Sequence, residues 1–144
     1  MKKPLKILFM CVANSARSQL AEGLAKQIFG DEAVIESAGS DPKTPNPFAI
    51  EALKEVGIDI STNYSKSVSE LQPSFVAHLD YVITLCAEEV CPVLPSQTAK
   101  KLHWPFQDPA GHAASDEENL ARFRNTREDI KQRLLAFKSE LGLS

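Results

Sequence analysis

Apolar residues along this chain alternate between two patterns, short runs of strand formers and longer stretches in which they recur every three or four positions. Leu5–Met10 (LKILFM) is a continuous apolar run, which predicts a strand covered on both faces as in parallel sheets. Leu20, Ala21, Leu24, Ala25 and Ile28 then fall on one helical face, with Gly30 placed to end the helix. Ala33–Ser37 (AVIES) reads as a second strand, and Ser40–Pro47 as a proline-rich loop. Asn46 is positioned as an N-cap with Pro47 at the first helical position. Ile50, Leu53 and Val56 supply a buried face before Gly57 stops that helix. Ile58–Leu79 carries no clear period and predicts a loop, with a short helical piece at Val68–Leu71. Asp80–Leu85 (DYVITL) is the third strand and Lys101–Trp104 (KLHW) the fourth, closed by Pro105. The last element is a long helix: Ser115 and Glu118 form a capping-box pattern, and Leu120, Phe123, Ile130, Leu134, Phe137 and Leu141 make its stripe before Gly142. Arg127 falls on that stripe and is expected to snorkel to its edge.

Strands alternating with helices predict an α/β fold around a central parallel sheet. A length of 144 residues suits one domain spanning residues 1–144, and neither an internal repeat nor a low-complexity tract divides it. The net charge is -3 with both signs interspersed, which gives no basic face for nucleic acid and no polybasic stretch for a membrane surface. No apolar stretch reaches membrane-spanning length, and Met1-Lys2-Lys3 with Leu5–Met10 is too short, and lacks the cleavage site, for a signal sequence. A cytoplasmic protein is therefore expected, where cysteines serve catalysis, redox chemistry or metal binding more often than structural disulfides. There are three: Cys11, Cys86 and Cys91.

Cys11 opens the stretch Cys11-Val12-Ala13-Asn14-Ser15-Ala16-Arg17-Ser18, lying between a predicted strand and a predicted helix. A C-x5-R match alone is weak, but this context is that of an anion-binding nucleophile loop. Backbone N–H groups and the helix N-terminus would converge on an oxyanion, Arg17 would offer a planar fork, and the positive surroundings would favour a Cys11 thiolate. Asn14 suits a left-handed backbone turn in a loop without glycine. Ser15 and Ser18 carry hydroxyls that either cap the helix or donate to the Cys11 sulfur. In parallel α/β sheets ligands bind beyond the carboxyl ends of the strands, where the strand order reverses. Cys11, Cys86 and Asp108 all follow predicted strands, and Cys11 meets Cys86 if strands one and three are neighbours. Asp108, before Pro109, is a candidate general acid for a leaving oxygen, although Asp-Pro turns also occur with no such role.

Cys86 and Cys91 are either packed thiols, half of a zinc site or a redox pair. His78, His103 and His112 are scattered, and no second ligand cluster accompanies the two cysteines, so a redox pair is favoured. On an ideal helix the pair would stand about 140° apart and about 7.5 Å along the axis, so a bond between them needs an irregular or rearranging segment. Pro92 and Pro95 suit one.

Together the loop CVANSARS, the segment ESAGS at 36–40, VITLC at 82–86, Cys91-Pro92 and WPFQDPA at 104–110 resemble the arsenate reductases built on the low-molecular-weight phosphatase-like fold. The resemblance runs through nearly the whole chain in the same order. It implies a three-layer architecture, a four-stranded parallel sheet flanked by helices, and a relay of thiols. In that relay Cys11 attacks arsenate, for which phosphate and sulfate are mimics, while Arg17 and the loop hold its oxygens and Asp108 protonates the leaving one. Cys86 then attacks Cys11 and arsenite leaves. Cys91 attacks Cys86, and the Cys86–Cys91 disulfide passes to an external thiol reductant. That reductant is thioredoxin in the best-known branch, but the C-x4-C spacing here is shorter than is common there, which keeps glutaredoxin with glutathione open. The resemblance also implies a potassium ion near Asn14, Glu22 and Ser37 in some members. Ala13 stands where phosphatases usually have glycine, and Ala110-Gly111-His112 replaces their tyrosine pair. Two other readings remain: a phosphatase working through a phosphocysteine on Cys11, and a non-catalytic oxyanion sensor, which would need neither Asp108 nor the extra thiols.

Overall fold

A computed structural model describes residues 4–12, 14, 16–41, 43–86, 99–107, 109 and 115–142. Among these, strands β1 (Leu5–Cys11), β2 (Ala33–Gly39), β3 (Tyr81–Thr84) and β4 (Lys100–His103) form one sheet in the order β2-β1-β3-β4. Every pairing is parallel, with Leu5 opposite Ala33 and Cys11 opposite Gly39 on one side of β1, and Ile7 opposite Tyr81 and Met10 opposite Thr84 on the other. Helices α1 (Arg17–Phe29), α2 (Pro47–Lys54), α3 (Pro73–Ala77) and α4 (Asp116–Glu140) are accompanied by 3-10 turns at Gly30–Glu32 and Val68–Glu70. The chain steps from β1 outward to β2 and then crosses back to β3, so the order reverses between β1 and β3.

β1 is buried on both faces, and its side chains divide between two cores. Ile7 and Phe9 pack with residues of α1, α2 and α4, including Leu20, Leu24, Leu53, Phe123, Ile130 and Phe137. Leu8 and Met10 face the other way, onto Leu71, Phe75, Leu79 and Val82. The sheet is thus the middle of three layers, and its central strand delivers Cys11 to the carboxyl edge with no freedom to tilt.

The predicted strands are present with small changes of length. β2 continues two residues further than the apolar run, to Gly39, because Gly39 pairs with Cys11. The N-caps are as expected: Asn46 Oδ1 accepts from the Phe48 N–H at 2.8 Å, and Ser115 Oγ from the Glu118 N–H at 3.2 Å. Two helical expectations need correction. The second helix ends at Lys54 rather than at Gly57, and its buried residues are Ala49, Ala52 and Leu53 instead of Ile50, Leu53 and Val56. Small alanines let α2 approach α1 and α4 closely, and the bulkier Ile50 packs at the margin of the core. Within Ile58–Leu79 the short helical piece is a turn of 3-10 helix at Val68–Glu70. The helix α3 behind it was not anticipated, being too short to show a period.

Arg127 does lie across the apolar stripe of α4 with its guanidinium at the edge. It donates to the Ala52 carbonyl at 2.8 Å and to Glu55 at 2.9 Å. Arg124 adds bonds to Glu55 at 2.9 and 3.0 Å, so one carboxylate ties the end of α2 to α4. The Arg124 hydrogen bond, ahead of Arg127, holds the Glu55 carboxyl from an ordinary 4.5 down to about 2. A carboxylate held below its unfolded value stabilises the fold above that value and ceases to do so as pH falls. Glu55→Gln is therefore expected to lower the thermal midpoint at neutral pH, with the gap to wild type narrowing as pH drops from 4.5 towards 2. Melting curves across that range check it; a gap that stays constant would contradict the assignment.

Candidate active site

At the reversal between β1 and β3, the last residue of β1 and the first residues beyond β3 come side by side. The Leu85 N–H donates to the Met10 carbonyl at 2.9 Å, so Cys86 follows directly on a residue locked to the neighbour of Cys11. Both thiols are buried. Strands one and three are neighbours, so Cys11 and the segment that carries Cys86 leave the same edge of the sheet.

The loop after Cys11 turns at Asn14, whose φ is 49°, and Asn14 is the one described non-glycine residue with positive φ. Its side chain and carbonyl are fully used. Asn14 Nδ2 donates to Ser18 Oγ at 2.8 Å, and Asn14 Oδ1 accepts from the Lys66 N–H at 2.9 Å. The Asn14 carbonyl accepts from Ser65 Oγ at 2.6 Å and from Gln19 Nε2 at 3.1 Å. Ser18 Oγ in turn lies 2.9 Å from Cys11 Sγ. Since Ser18 already accepts from Asn14, its own proton is available to the sulfur, and a thiolate can only accept it. The N-cap of α1 is Ala16, with no side-chain cap. Of the two roles open to Ser18, the structure selects contact with the Cys11 sulfur, and the first N–H groups of α1 remain directed at the loop.

Arg17 begins α1, is 4% exposed, and reaches back across the sheet edge. Its Nη1 donates to the Phe106 carbonyl at 3.0 Å and contacts the Leu85 carbonyl at 3.4 Å. The guanidinium therefore spans the chain leaving β3, which carries Cys86, and the chain leaving β4, which leads to Asp108. Val12 and Ala16 are placed in the loop; Ala13, Ser15, Cys91 and Asp108 lie outside the described residues.

Gly39 closes the loop from the β2 side. A Cβ there would stand 2.8 Å from the Cys11 carbonyl and 2.9 Å from the Asn14 N, and nearer still to the Val12 carbonyl, all of them backbone atoms. The Gly39 N–H donates to the Lys66 carbonyl at 2.9 Å. Neither Gly39 nor the wrapping residues Gln19, Asn63, Ser65 and Lys66 was singled out from the sequence. The glycine in ESAG, at the carboxyl end of a predicted strand beside the loop, was the available signal.

The residues expected near a potassium ion are bonded to protein groups. Glu22 accepts from Lys26 Nζ at 2.8 Å, from Asn63 Nδ2 at 3.3 Å and from Ser37 Oγ, while both ends of the Asn14 amide are engaged as described. Among the described residues no group of three His, Cys, Asp or Glu side chains could hold a metal ion, and no helix is long and apolar enough to cross a membrane.

A parallel α/β sheet with a buried cysteine and arginine on a strand–loop–helix turn at the switch point is the architecture of the phosphatase-like class. The chain belongs to the low molecular weight phosphotyrosine protein phosphatase family, whose sequence pattern it matches over residues 6–143. It is similar to the arsenate reductase of Halalkalibacterium halodurans, at 43% identity over 133 residues covering 91% of this chain and 93% of that protein. Among solved structures it is similar to an arsenate reductase in the phosphate binding state, with a TM-score of 0.76 and 31% identity, covering 94% of this chain and 98% of that one. It is also similar to a thioredoxin-dependent arsenate reductase of Corynebacterium glutamicum, with a TM-score of 0.72 and 28% identity, covering 99% of this chain and 64% of that one.

The close approach at Gly39 makes a direct prediction. Gly39→Ala must push backbone apart, and overpacking of this kind costs about 1–3 kcal/mol. Urea unfolding should show a loss of that size together with slower iodoacetamide labelling of Cys11; unchanged stability and labelling would mean that Gly39 does not clamp the loop.

Proposed function

We propose that this chain is an arsenate reductase, a single domain in which three cysteines pass two electrons to arsenate. The observation that carries the reading is that Leu85, the residue before Cys86, bonds to the Met10 carbonyl next to Cys11 and is also contacted by Arg17. A hydrolase needs only the first thiol; a second one on the neighbouring strand's exit suits reduction. The similarity to arsenate reductases over nine-tenths of the chain supports the same conclusion.

In the proposed reaction the Cys11 thiolate attacks arsenic, an S–As bond forms, an As–O bond breaks, and an arsenate hydroxyl leaves as water after taking one proton from Asp108. Asp108 follows two residues after Phe106, whose carbonyl is bonded to Arg17, and this order along the chain supports Asp108 as the proton donor. Arg17 and the N-terminal N–H groups of α1 balance the oxyanion charge, and Ser18 steadies the sulfur. The Cys86 thiolate then attacks Cys11 Sγ. An S–S bond forms, the S–As bond breaks, and its electron pair stays on arsenic, which leaves as arsenite. Cys91 attacks Cys86 Sγ, Cys11 departs as a thiolate, and the Cys86–Cys91 disulfide awaits an external thiol.

Thioredoxin is the reductant favoured here, because a similar structure is a thioredoxin-dependent arsenate reductase; glutaredoxin with glutathione is the alternative. The protein is assigned to the cytoplasm, where such reductants keep thiols reduced. Family membership also supports phosphocysteine hydrolysis at Cys11 as a side activity of the same loop.

Single-turnover incubation with arsenate and no added thiol tests the relay. Wild type should release about one arsenite per chain, Cys86→Ser far less, and Cys91→Ser should accumulate a Cys11–Cys86 disulfide detectable by peptide mapping. Undiminished arsenite release from Cys86→Ser would remove the relay. Multiple turnovers with thioredoxin and thioredoxin reductase, against glutaredoxin with glutathione, then identify the reductant.

A further inference from the structure

Behind the nucleophile loop lies a second charged cluster that the reaction does not use. Glu22 of α1 is almost wholly buried, its side chain 3% exposed, beside Lys26. Lys66 Nζ enters the same cluster at 3.9 Å from Glu22 Oε1 and 3.4 Å from Glu36 Oε1. Lys66 is 9% exposed, and its ammonium also stands 5.4 Å from the centre of the Tyr64 ring. A lysine buried to this degree needs paired carboxylates. Here Glu22 and Glu36 carry two negative charges, and Lys26 and Lys66 two positive ones, so the cluster is neutral as it stands.

The same residue is tied to the loop through its backbone. The Lys66 N–H donates to Asn14 Oδ1 at 2.9 Å, and the Lys66 carbonyl accepts from the Gly39 N–H at 2.9 Å. From Asn14 the chain of bonds continues to Ser18 and to the Cys11 sulfur. A second route leaves the cluster through Asn63, which donates both to Glu22 at 3.3 Å and to Gln19 Oε1 at 3.0 Å; Gln19 then donates to the Asn14 carbonyl. Whatever cation neutralises Glu22 and Glu36 therefore sets the position of the turn that holds the nucleophile.

We propose that the Lys66 ammonium is the built-in monovalent cation of this cluster, which makes Lys66 a positioning residue for Cys11 and the loop independent of potassium. An ammonium group and a potassium ion have the same charge and nearly the same size, so one occupies the place of the other. A potassium ion added to the cluster as it stands would leave a buried excess of positive charge next to Lys66 Nζ. Without the Lys66 side chain the cluster would carry one uncompensated negative charge and a gap lined by carboxylate and hydroxyl oxygens, a setting suited to potassium.

The proposal rests on Cys11 being the reactive thiol of the loop, not on arsenate being its substrate, and the test is chosen accordingly. The rate of iodoacetamide labelling at Cys11, read by peptide mass spectrometry at neutral pH, is measured in potassium chloride and in tetramethylammonium chloride of equal ionic strength. Thermal midpoints are measured in the same buffers. Wild type should give the same rate and midpoint in both. Lys66→Ala should label roughly tenfold more slowly in tetramethylammonium and recover in potassium or methylammonium, a rescue that simple loss of packing would not show. A saturable rise in the wild-type rate or midpoint with potassium would overturn the proposal, and this arm needs no variant to fold. So would a Lys66→Ala protein that is indifferent to both small cations. If arsenate is not reduced but labelling follows this pattern, only the substrate assignment fails.

Discussion

The active loop depends on one left-handed residue. Between Cys11 and Arg17 the chain must reverse from strand into helix with no glycine to turn on, and Asn14 makes the turn at φ 49°. For an L-residue that conformation is strained, least so for asparagine, whose short amide can bond locally. Here the amide and carbonyl of Asn14 engage the buried Ser18, Gln19 and Lys66 and the partly buried Ser65. Each such bond is worth about 1 kcal/mol net and costs more than that to leave half-made. The turn is thus stable only when α1, the 63–66 segment and the carboxyl end of β2 are all in place, and the completed fold sets the loop.

The sheet order supplies the second condition. Because β1 and β3 are neighbours, residues remote in sequence reach one edge, and Arg17 fastens the two chains that leave β3 and β4. The position of the Arg17 guanidinium thus depends on the segments bearing Cys86 and leading to Asp108. The same loop serves hydrolysis and reduction alike in chemical terms. What separates them in the proposed reaction is the content of the segment after β3, which carries a second cysteine, Cys86.

Much of this was legible in the sequence because it is local. β1 and β3 are dense β-branched or apolar runs, Asn46 and Ser115 are recognisable caps, and Asn14 is the residue type a glycine-free turn requires. The residues that were not legible act across long sequence separations. Lys66 reads as an ordinary surface lysine until β2 and α1 bring Glu36 and Glu22 to it, and Asn63, Ser65 and Gln19 have no periodic signature. Gly39 looked like the end of a strand, and only the pairing of β2 with β1 shows that a methyl group there would strike the loop backbone. The face of α2 turned towards alanines because close helix packing outweighed the size of Ile50. Expecting potassium ligands at Asn14, Glu22 and Ser37 located a real polar cluster, and the lysine that completes it comes from a loop with no pattern of its own.

The central claim, that the Asn14 side chain holds the nucleophile, is tested most directly by Asn14→Gly, which permits the left-handed turn and deletes only the side-chain bonds. Single-turnover arsenite release is the measurement, with far-UV circular dichroism as the check on folding. Loss of a buried bonded group of this kind predicts release roughly tenfold slower in a protein whose spectrum matches wild type. Release at the wild-type rate would show that the loop holds its nucleophile without Asn14, and would contradict the account.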